Sequence, residues 1–153
     1  VAEDGPAVTA LIASCPPLDP NSAYCNLLQC SHFSDTCIVA ECDGKVVGWI
    51  SGYRLPQDAS RFFVWQVAVS SSQRGRGLAG KMLDGLLERD EATGVTHVLT
   101  TVTRDNDASR AMFRNWANRH DAPLNESELF DRDRHFAGKH DSEWQIAIGP
   151  LTP

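Results

Sequence analysis

The sequence predicts an α+β fold, on three observations. Runs rich in β-branched and aromatic residues at 37–41, 45–53, 61–69, 95–102 and 144–148 read as strands. Apolar residues recur at helical spacing in 78–91, just after a glycine-rich turn, and again in 106–119. No internal repeat and no second core is visible, so residues 1–153 are read as one domain, long enough for a proper core.

Taken in order, Val8, Leu11 and Ile12 give a short amphipathic helix at 8–15. Gly5 and Pro6 sit at its start, where proline is tolerated, and Pro16-Pro17 stops it. Asn21 or Ser22 can cap a second helix that runs to about Phe33, with Tyr24, Leu27, Leu28 and Phe33 as its apolar positions. Residues 37–41 and 45–53 are partner strands about Asp43-Gly44, a strong hairpin turn. Pro56 and the polar residues 57–60 form the next turn, and 61–69 is the third antiparallel strand. The helix at 78–91 presents Leu78, Met82, Leu83, Leu86 and Leu87 on one face; Gly94 then breaks the chain before strand 95–102. The helix at 106–119 presents Ala108, Met112, Phe113 and Trp116. Residues 122–141 read as polar and irregular, and the charged run from Asp131 to His135 as solvated surface. Residues 144–148 supply the last strand.

A net charge of −6 argues against a general nucleic-acid binder and is compatible with a cationic substrate. No apolar run is long enough to span a bilayer and no secretory leader is visible, so a cytoplasmic protein without a membrane partner is expected. The chain opens on Val1 rather than Met, which leaves room for a preceding strand. The five cysteines, Cys15, Cys25, Cys30, Cys37 and Cys42, are odd in number and form no C-x-x-C pair. Neither zinc nor a disulfide framework is expected; reduced, mostly buried thiols are.

The chain is organised around residues 63–87. An apolar run ending at Val69 turns through Ser70, Ser71 and Ser72 into Gln73-Arg74-Gly75-Arg76-Gly77, and Leu78, Ala79 and Gly80 open a helix. Strand, glycine turn and helix start make an anion site. First-turn N–H groups lack intrahelical partners and the helix dipole favours negative charge. Gly75 and Gly77 allow close backbone approach, and Arg74, Arg76 and Lys81 add local positive charge. Gly75-x-Gly77-x-x-Gly80 also fits a dinucleotide fingerprint, but a polar spacer separates it from the strand and too little chain follows for two mononucleotide-binding halves. Residues 75–81 fit a P-loop until Met82, which cannot hold Mg²⁺ as Ser or Thr would.

Arg74-x-x-Gly77-x-Ala79 after Val67-Ala68-Val69 resembles the acyl-CoA signature of the GNAT N-acetyltransferase superfamily. The resemblance implies the GNAT fold, a mixed and mostly antiparallel central sheet flanked by helices, with acetyl-CoA as co-substrate and no metal. It implies a coenzyme site made of Val67, Val69, Arg74, Gly75, Arg76, Gly77, Leu78, Ala79, Gly80, Asn106 and Phe113. The backbone around Val67 would face the thioester oxygen, so the side chain there can be silent. Asn106 matches an asparagine near the coenzyme arm. Seven residues on, where the family often has a proton-donating tyrosine, this chain has Phe113, which cannot donate.

Three further stretches resemble one branch of that superfamily, the diaminobutyrate acetyltransferases of ectoine biosynthesis. They are Leu18 to Tyr24 followed by Leu27-Leu28 and His32-Phe33, then Phe63 to Val67, then Phe136-x-Gly138-x-His140. The branch implies acetylation of the γ-amine of L-2,4-diaminobutyrate, a role in osmoprotection, and a homodimer. Asp19 could pair with an ammonium group, Tyr24 and Trp65 could frame the short aliphatic chain, and His140 could accept a proton or bind the substrate. Each also has an ordinary reading: Asp19 as a turn residue before Pro20, Tyr24 and Trp65 as core, His140 as a solvated loop residue. His32 and His97 read as structural. A GNAT enzyme for another small amine, and a degenerate acyl-CoA-binding sensor, remain as alternatives, the second because of Phe113.

Overall fold

The computed structural model describes residues 1–152. In chain order its main elements are α1 (Gly5–Ala13), α2 (Ala23–Ser31), β1 (Ile38–Cys42), β2 (Lys45–Leu55), β3 (Asp58–Val69), α3 (Leu78–Leu87), β4 (His97–Val102), α4 (Asp107–Arg119), β5 (Leu124–Phe130) and β6 (Glu143–Ile148). The strands form one six-stranded sheet in the order β1-β2-β3-β4-β6-β5. β1 with β2, β4 with β6, and β5 with β6 are antiparallel, while β3 and β4 are parallel. A parallel pair needs a crossover, and α3 with its flanking turns provides it. The sheet is therefore mixed and mostly antiparallel, as expected.

By internal contacts the chain falls into two compact units: Val1–Tyr53 with Trp65–Thr93, and Arg54–Val64 with Gly94–Pro153. β3 contributes to both.

In the first unit, Val8, Leu11, Ile12, Cys15, Cys30, Cys37, Trp49 and Ala68 form a buried cluster. Ser22 caps α2 by accepting from the Cys25 N–H at 3.0 Å. Asp43 and Gly44 both take positive φ, 51° and 75°, as a two-residue hairpin turn requires. α3 lies close on the sheet: a Cβ at Gly48 of β2 would come within 2.8 Å of Met82 Sδ and Cε. Met82 is thus a core residue, as its spacing predicts. α3 ends at Leu87 rather than near Glu91 because Arg89 turns extended, with φ −70° and ψ 150°. Its guanidinium Nη1 then donates to the carbonyls of Ser34, Asp35 and Cys37 at 3.0, 3.1 and 3.0 Å. All five cysteines are free; Cys15, Cys30 and Cys37 are buried, Cys25 is half-buried and Cys42 is exposed.

In the second unit, Phe62, Val64, Val98, Leu99, Val102, Phe113, Trp116, Ala117, Ile146 and Ile148 are buried. Ala108 is exposed and Ala117 takes its place on the inner face of α4. The Arg104 guanidinium sits 3.8 Å from the Trp144 ring centroid.

Three further expectations are corrected. The turn between β2 and β3 is shorter than 56–60: only Pro56 and Gln57 lie between the strands. Residues 122–141 are not all irregular, since β5 lies within them. β5 is an outer strand exposed along six of its seven residues, so it carries no buried face to imprint apolar alternation on the sequence. In α2 the supposed apolar face is turned outward: Tyr24, Leu27 and Phe33 are exposed, while Asn26, Gln29 and Cys30 are buried.

Candidate active site

β3 alternates along its second half. Val64, Gln66 and Ala68 are buried on one face; Trp65 is exposed and Val67 and Val69 are half-buried on the other. The β3–β4 ladder pairs Arg61 to Val64 with His97 to Thr100. That register ends at Val64 with Thr100. The Val69 carbonyl accepts from Arg74 Nε at 3.3 Å and from the Cys15 thiol at 3.5 Å. The Ser70 N–H is tied to the Val47 carbonyl at 2.8 Å, which anchors the exit of the strand.

The turn that follows is built by backbone conformation. A single 3₁₀ turn, Ser71–Gln73, leads to Arg74. Gly75 and Gly77 both take left-handed φ, 77° and 71°. Gly77 is also the N-cap of α3, and no side chain caps that end. A Cβ at either glycine would meet nothing within 4 Å. Glycine is therefore required here by dihedral angle, and the space above the turn is open. Alternating left-handed residues beside first-turn N–H groups form a nest for an anion. Arg74 and Arg76 are exposed beside it. Leu78, Ala79 and Gly80 are half-buried and supply those first-turn N–H groups. An open nest of N–H groups flanked by two arginines has the chemistry to hold a polyphosphate.

Also in the first unit, the segment that carries Asp19 is fixed by a buried polar chain. Gln66 Nε2 donates to the Asp19 carbonyl at 2.8 Å, and Gln66 Oε1 accepts from Asn21 Nδ2 at 2.7 Å. Asn21 Nδ2 also reaches Asn26 Oδ1 at 3.2 Å, and Asn26 Nδ2 donates to Thr9 Oγ1 at 2.8 Å. Thr9 in turn donates to the Gly5 carbonyl at 2.9 Å. Sequence reading singled out Asp19 and missed this chain. The only local signal was a glutamine in the otherwise apolar run 63–69. Trp65 lies edge-on to Tyr53, with centroids 6.3 Å apart. Tyr24, on α2, is 69% exposed, so it is available at the surface rather than used in the core.

The second unit holds the remaining candidates. Asn106 is the N-cap of α4, its Oδ1 accepting from the Ser109 N–H at 3.3 Å. Phe113 is buried on the same helix. His140 Nδ1 lies 2.6 Å from the Asp141 carbonyl oxygen. A carbonyl only accepts, so Nδ1 carries a proton. The Phe136 ring packs against His140, centroids 4.5 Å apart. The charged run is an ordered surface loop: Asp131 Oδ1 accepts from the N–H groups of Asp133 and Arg134, which holds its carboxyl below the usual range, and His135 Nδ1 accepts from the Asp131 N–H. Among the described residues no three His, Cys, Asp or Glu side chains gather as a metal site.

Residues 7–117 match the profile of the acetyltransferase (GNAT) family. The chain belongs to the GNAT acetyltransferase family. Similarity to individual members extends over nearly the whole chain. The L-2,4-diaminobutyric acid acetyltransferase of Methylotuvimicrobium alcaliphilum is 47% identical over 150 residues, covering 98% of this GNAT chain and 87% of that relative. The enzyme of the same name from Vibrio parahaemolyticus is 48% identical, covering 95% of this chain and 80% of that relative. Among solved structures, diaminobutyrate acetyltransferase EctA from Paenibacillus lautus, in complex with its substrate L-2,4-diaminobutyric acid and coenzyme A, superimposes with a TM-score of 0.93 at 39% identity, covering 99% of this chain and 92% of that one. Ard1 from Thermoplasma volcanium, at TM-score 0.75 and 16% identity, shares the GNAT fold alone.

Proposed function

We propose that this GNAT protein transfers the acetyl group of acetyl-CoA to the γ-amine of L-2,4-diaminobutyrate, giving N-γ-acetyldiaminobutyrate. The observation that carries acetyl-CoA use is the open, left-handed glycine turn between β3 and α3. The choice of amine is supported by identity across nearly the full length to enzymes that act on diaminobutyrate. The product belongs to ectoine biosynthesis, and so to osmoprotection. A cytoplasmic homodimer is proposed on the same kinship. No helix among the described residues is long and apolar enough to cross a membrane. Residues 1–153 are proposed to act as one domain, which the sheet shared by both units supports.

Each residue has a stated task. Arg74, Gly75, Arg76, Gly77, Leu78, Ala79 and Gly80 hold the pyrophosphate, mostly through backbone N–H groups. The Val67 and Val69 backbone pairs with the pantetheine arm, and the Val67 N–H polarises the thioester oxygen. Asn106 and Phe113 border the arm. Asp19 pairs with an ammonium, and Tyr24 and Trp65 frame the carbon chain. A side-chain ammonium with a pKa of about 10 is neutral in only about one molecule in a thousand at pH 7, a cost of roughly 4 kcal/mol. A carboxylate stabilises the ammonium, so Asp19 positions the substrate but does not activate it. His140, oriented by its Nδ1 contact with the Asp141 carbonyl, takes the proton at Nε2, directly or through water. Phe113 cannot protonate the departing sulfur, so another group or water does.

The test is a thiol-release assay with acetyl-CoA and a panel of amines, with NMR of the product. Diaminobutyrate should be the preferred amine and its γ-nitrogen the acetylated one. Asp19→Ala should raise KM for diaminobutyrate at least about tenfold, as the loss of a charged hydrogen bond gives, and leave KM for acetyl-CoA unchanged. A mainly α-acetylated product would reverse the assigned orientation. No turnover with any amine, alongside retained coenzyme binding, would favour an acyl-CoA sensor.

A further inference from the structure

Gln66 is 8% exposed, in the middle of β3, with apolar Val64 and Ala68 as its neighbours on the same face. Both ends of its carboxamide are engaged: Nε2 donates to the Asp19 carbonyl and Oε1 accepts from Asn21. Its own N–H donates to Ser51 Oγ at 3.1 Å, a side-chain acceptor on β2. An apolar side chain of the same volume would fill this position without any polar group to satisfy. The carboxamide instead ties two distant pieces of chain together. One is the 19–21 loop between α1 and α2. The other is the strand whose next residue, Val67, is the proposed oxyanion donor, and whose preceding residue, Trp65, is a proposed substrate contact. Beside the loop, Leu18 packs on the core cluster and its N–H donates to the Cys15 carbonyl at 3.0 Å. Asn21 reaches Asn26 at 3.2 Å, and Ser22 caps α2.

We propose that Gln66 is the positioning residue for the amine substrate. It clamps the Asp19 loop to β3, so that the ammonium partner and the thioester strand are held in one frame. It touches neither substrate and acts through the loop. Coenzyme binding rests on the turn after Val69 and on the Val67 and Val69 backbone, none of which the Gln66 carboxamide bonds. The amine part of this inference rests on the functional reading above.

Gln66→Met keeps the volume and removes both side-chain bonds. Gln66→Glu keeps an acceptor for Asn21 but sets a carboxylate against the Asp19 carbonyl. Two measurements separate positioning from mere packing. In steady-state kinetics, Gln66→Met should raise KM for diaminobutyrate roughly 10- to 30-fold, the size expected for one or two buried hydrogen bonds. KM for acetyl-CoA and kcat should stay within about threefold, within the scatter of a side chain that touches neither substrate. In hydrogen exchange without substrate, amides in 18–22 should exchange faster in the variant while those of α3 are unchanged. Gln66→Glu should shift both readouts in the same direction, and it carries the comparison if the Met variant does not fold. A wild-type enzyme that acetylates diaminobutyrate, with a folded variant whose KM for it is unchanged, overturns the role of Gln66 alone. A rise in both KM values together does the same. A wild-type protein that does not acetylate diaminobutyrate overturns the functional reading and the amine role with it.

Discussion

The turn at Arg74–Gly77 and the loop at Asp19–Asn21 both lead into a helix, and they hold their shapes by different means. The turn uses backbone. Two glycines at φ 77° and 71° point N–H groups at one spot, and no side chain caps α3. The loop uses side chains. Its conformation depends on Gln66, Asn26 and Thr9, from a strand and two helices. The first design is local and tolerates changes elsewhere in the chain. The second needs several elements in place at once, and a single truncated amide is felt along the whole chain of bonds.

The sharpest way to break this contrast is Gly77→Val. Left-handed φ costs a non-glycine residue about 1–2 kcal/mol, so the variant loses stability, and its side chain enters the open space where phosphate should sit. Acetyl-CoA affinity should fall at least about 100-fold, which is nearly 3 kcal/mol. Calorimetry on the folded fraction reads it, and unchanged affinity would remove the coenzyme role of the turn. Asn26→Leu tests the other side. It leaves the Thr9 hydroxyl without one of its partners and one N–H donor of Asn21 without its acceptor, in a partly buried place, and should cost about 2–3 kcal/mol, seen as a lower Tm. Coenzyme affinity should not change; a parallel loss would mean that turn and loop are not independent. The smallest effect is expected for Phe113→Leu. A buried ring replaced by a smaller apolar side chain should lose about 1–2 kcal/mol of stability while kcat stays within a few-fold. A drop in kcat on the order of 10³, the size of lost general acid catalysis, would show that the ring does more than pack.

The same contrast explains what could be read from the chain. The turn was legible because its determinants, Arg74, Gly75 and Gly77, are adjacent and glycine reports a backbone angle directly. The hairpin at Asp43-Gly44 was legible for the same reason. The loop was legible only at Asp19. Its supports, Asn26 and Gln66, are 40 positions apart in sequence, and neither spacing nor composition links them. α2 misled because Tyr24, Leu27 and Leu28 look like a core face. The opposite face, with Asn26, Gln29 and Cys30, is buried instead, and Asn26 is bonded there to Asn21 and Thr9. β5 was illegible because a strand with water along six of its seven residues has no reason to alternate.

The thiols bear on how activity is measured. Cys37 is held protonated by burial, its pKa pushed up to about 11, and Cys15 and Cys30 are buried with it in one cluster. Only the thiolate attacks a disulfide reagent, and it must be reached. Cys42 is exposed, so a colorimetric count of released coenzyme A begins with a jump from the enzyme itself. That jump should scale with protein rather than with time, while the buried sulfurs stay silent as long as the core is closed. The same reagent, added without substrate, therefore doubles as an unfolding meter: any slow rise toward all five cysteines measures how often the first unit opens.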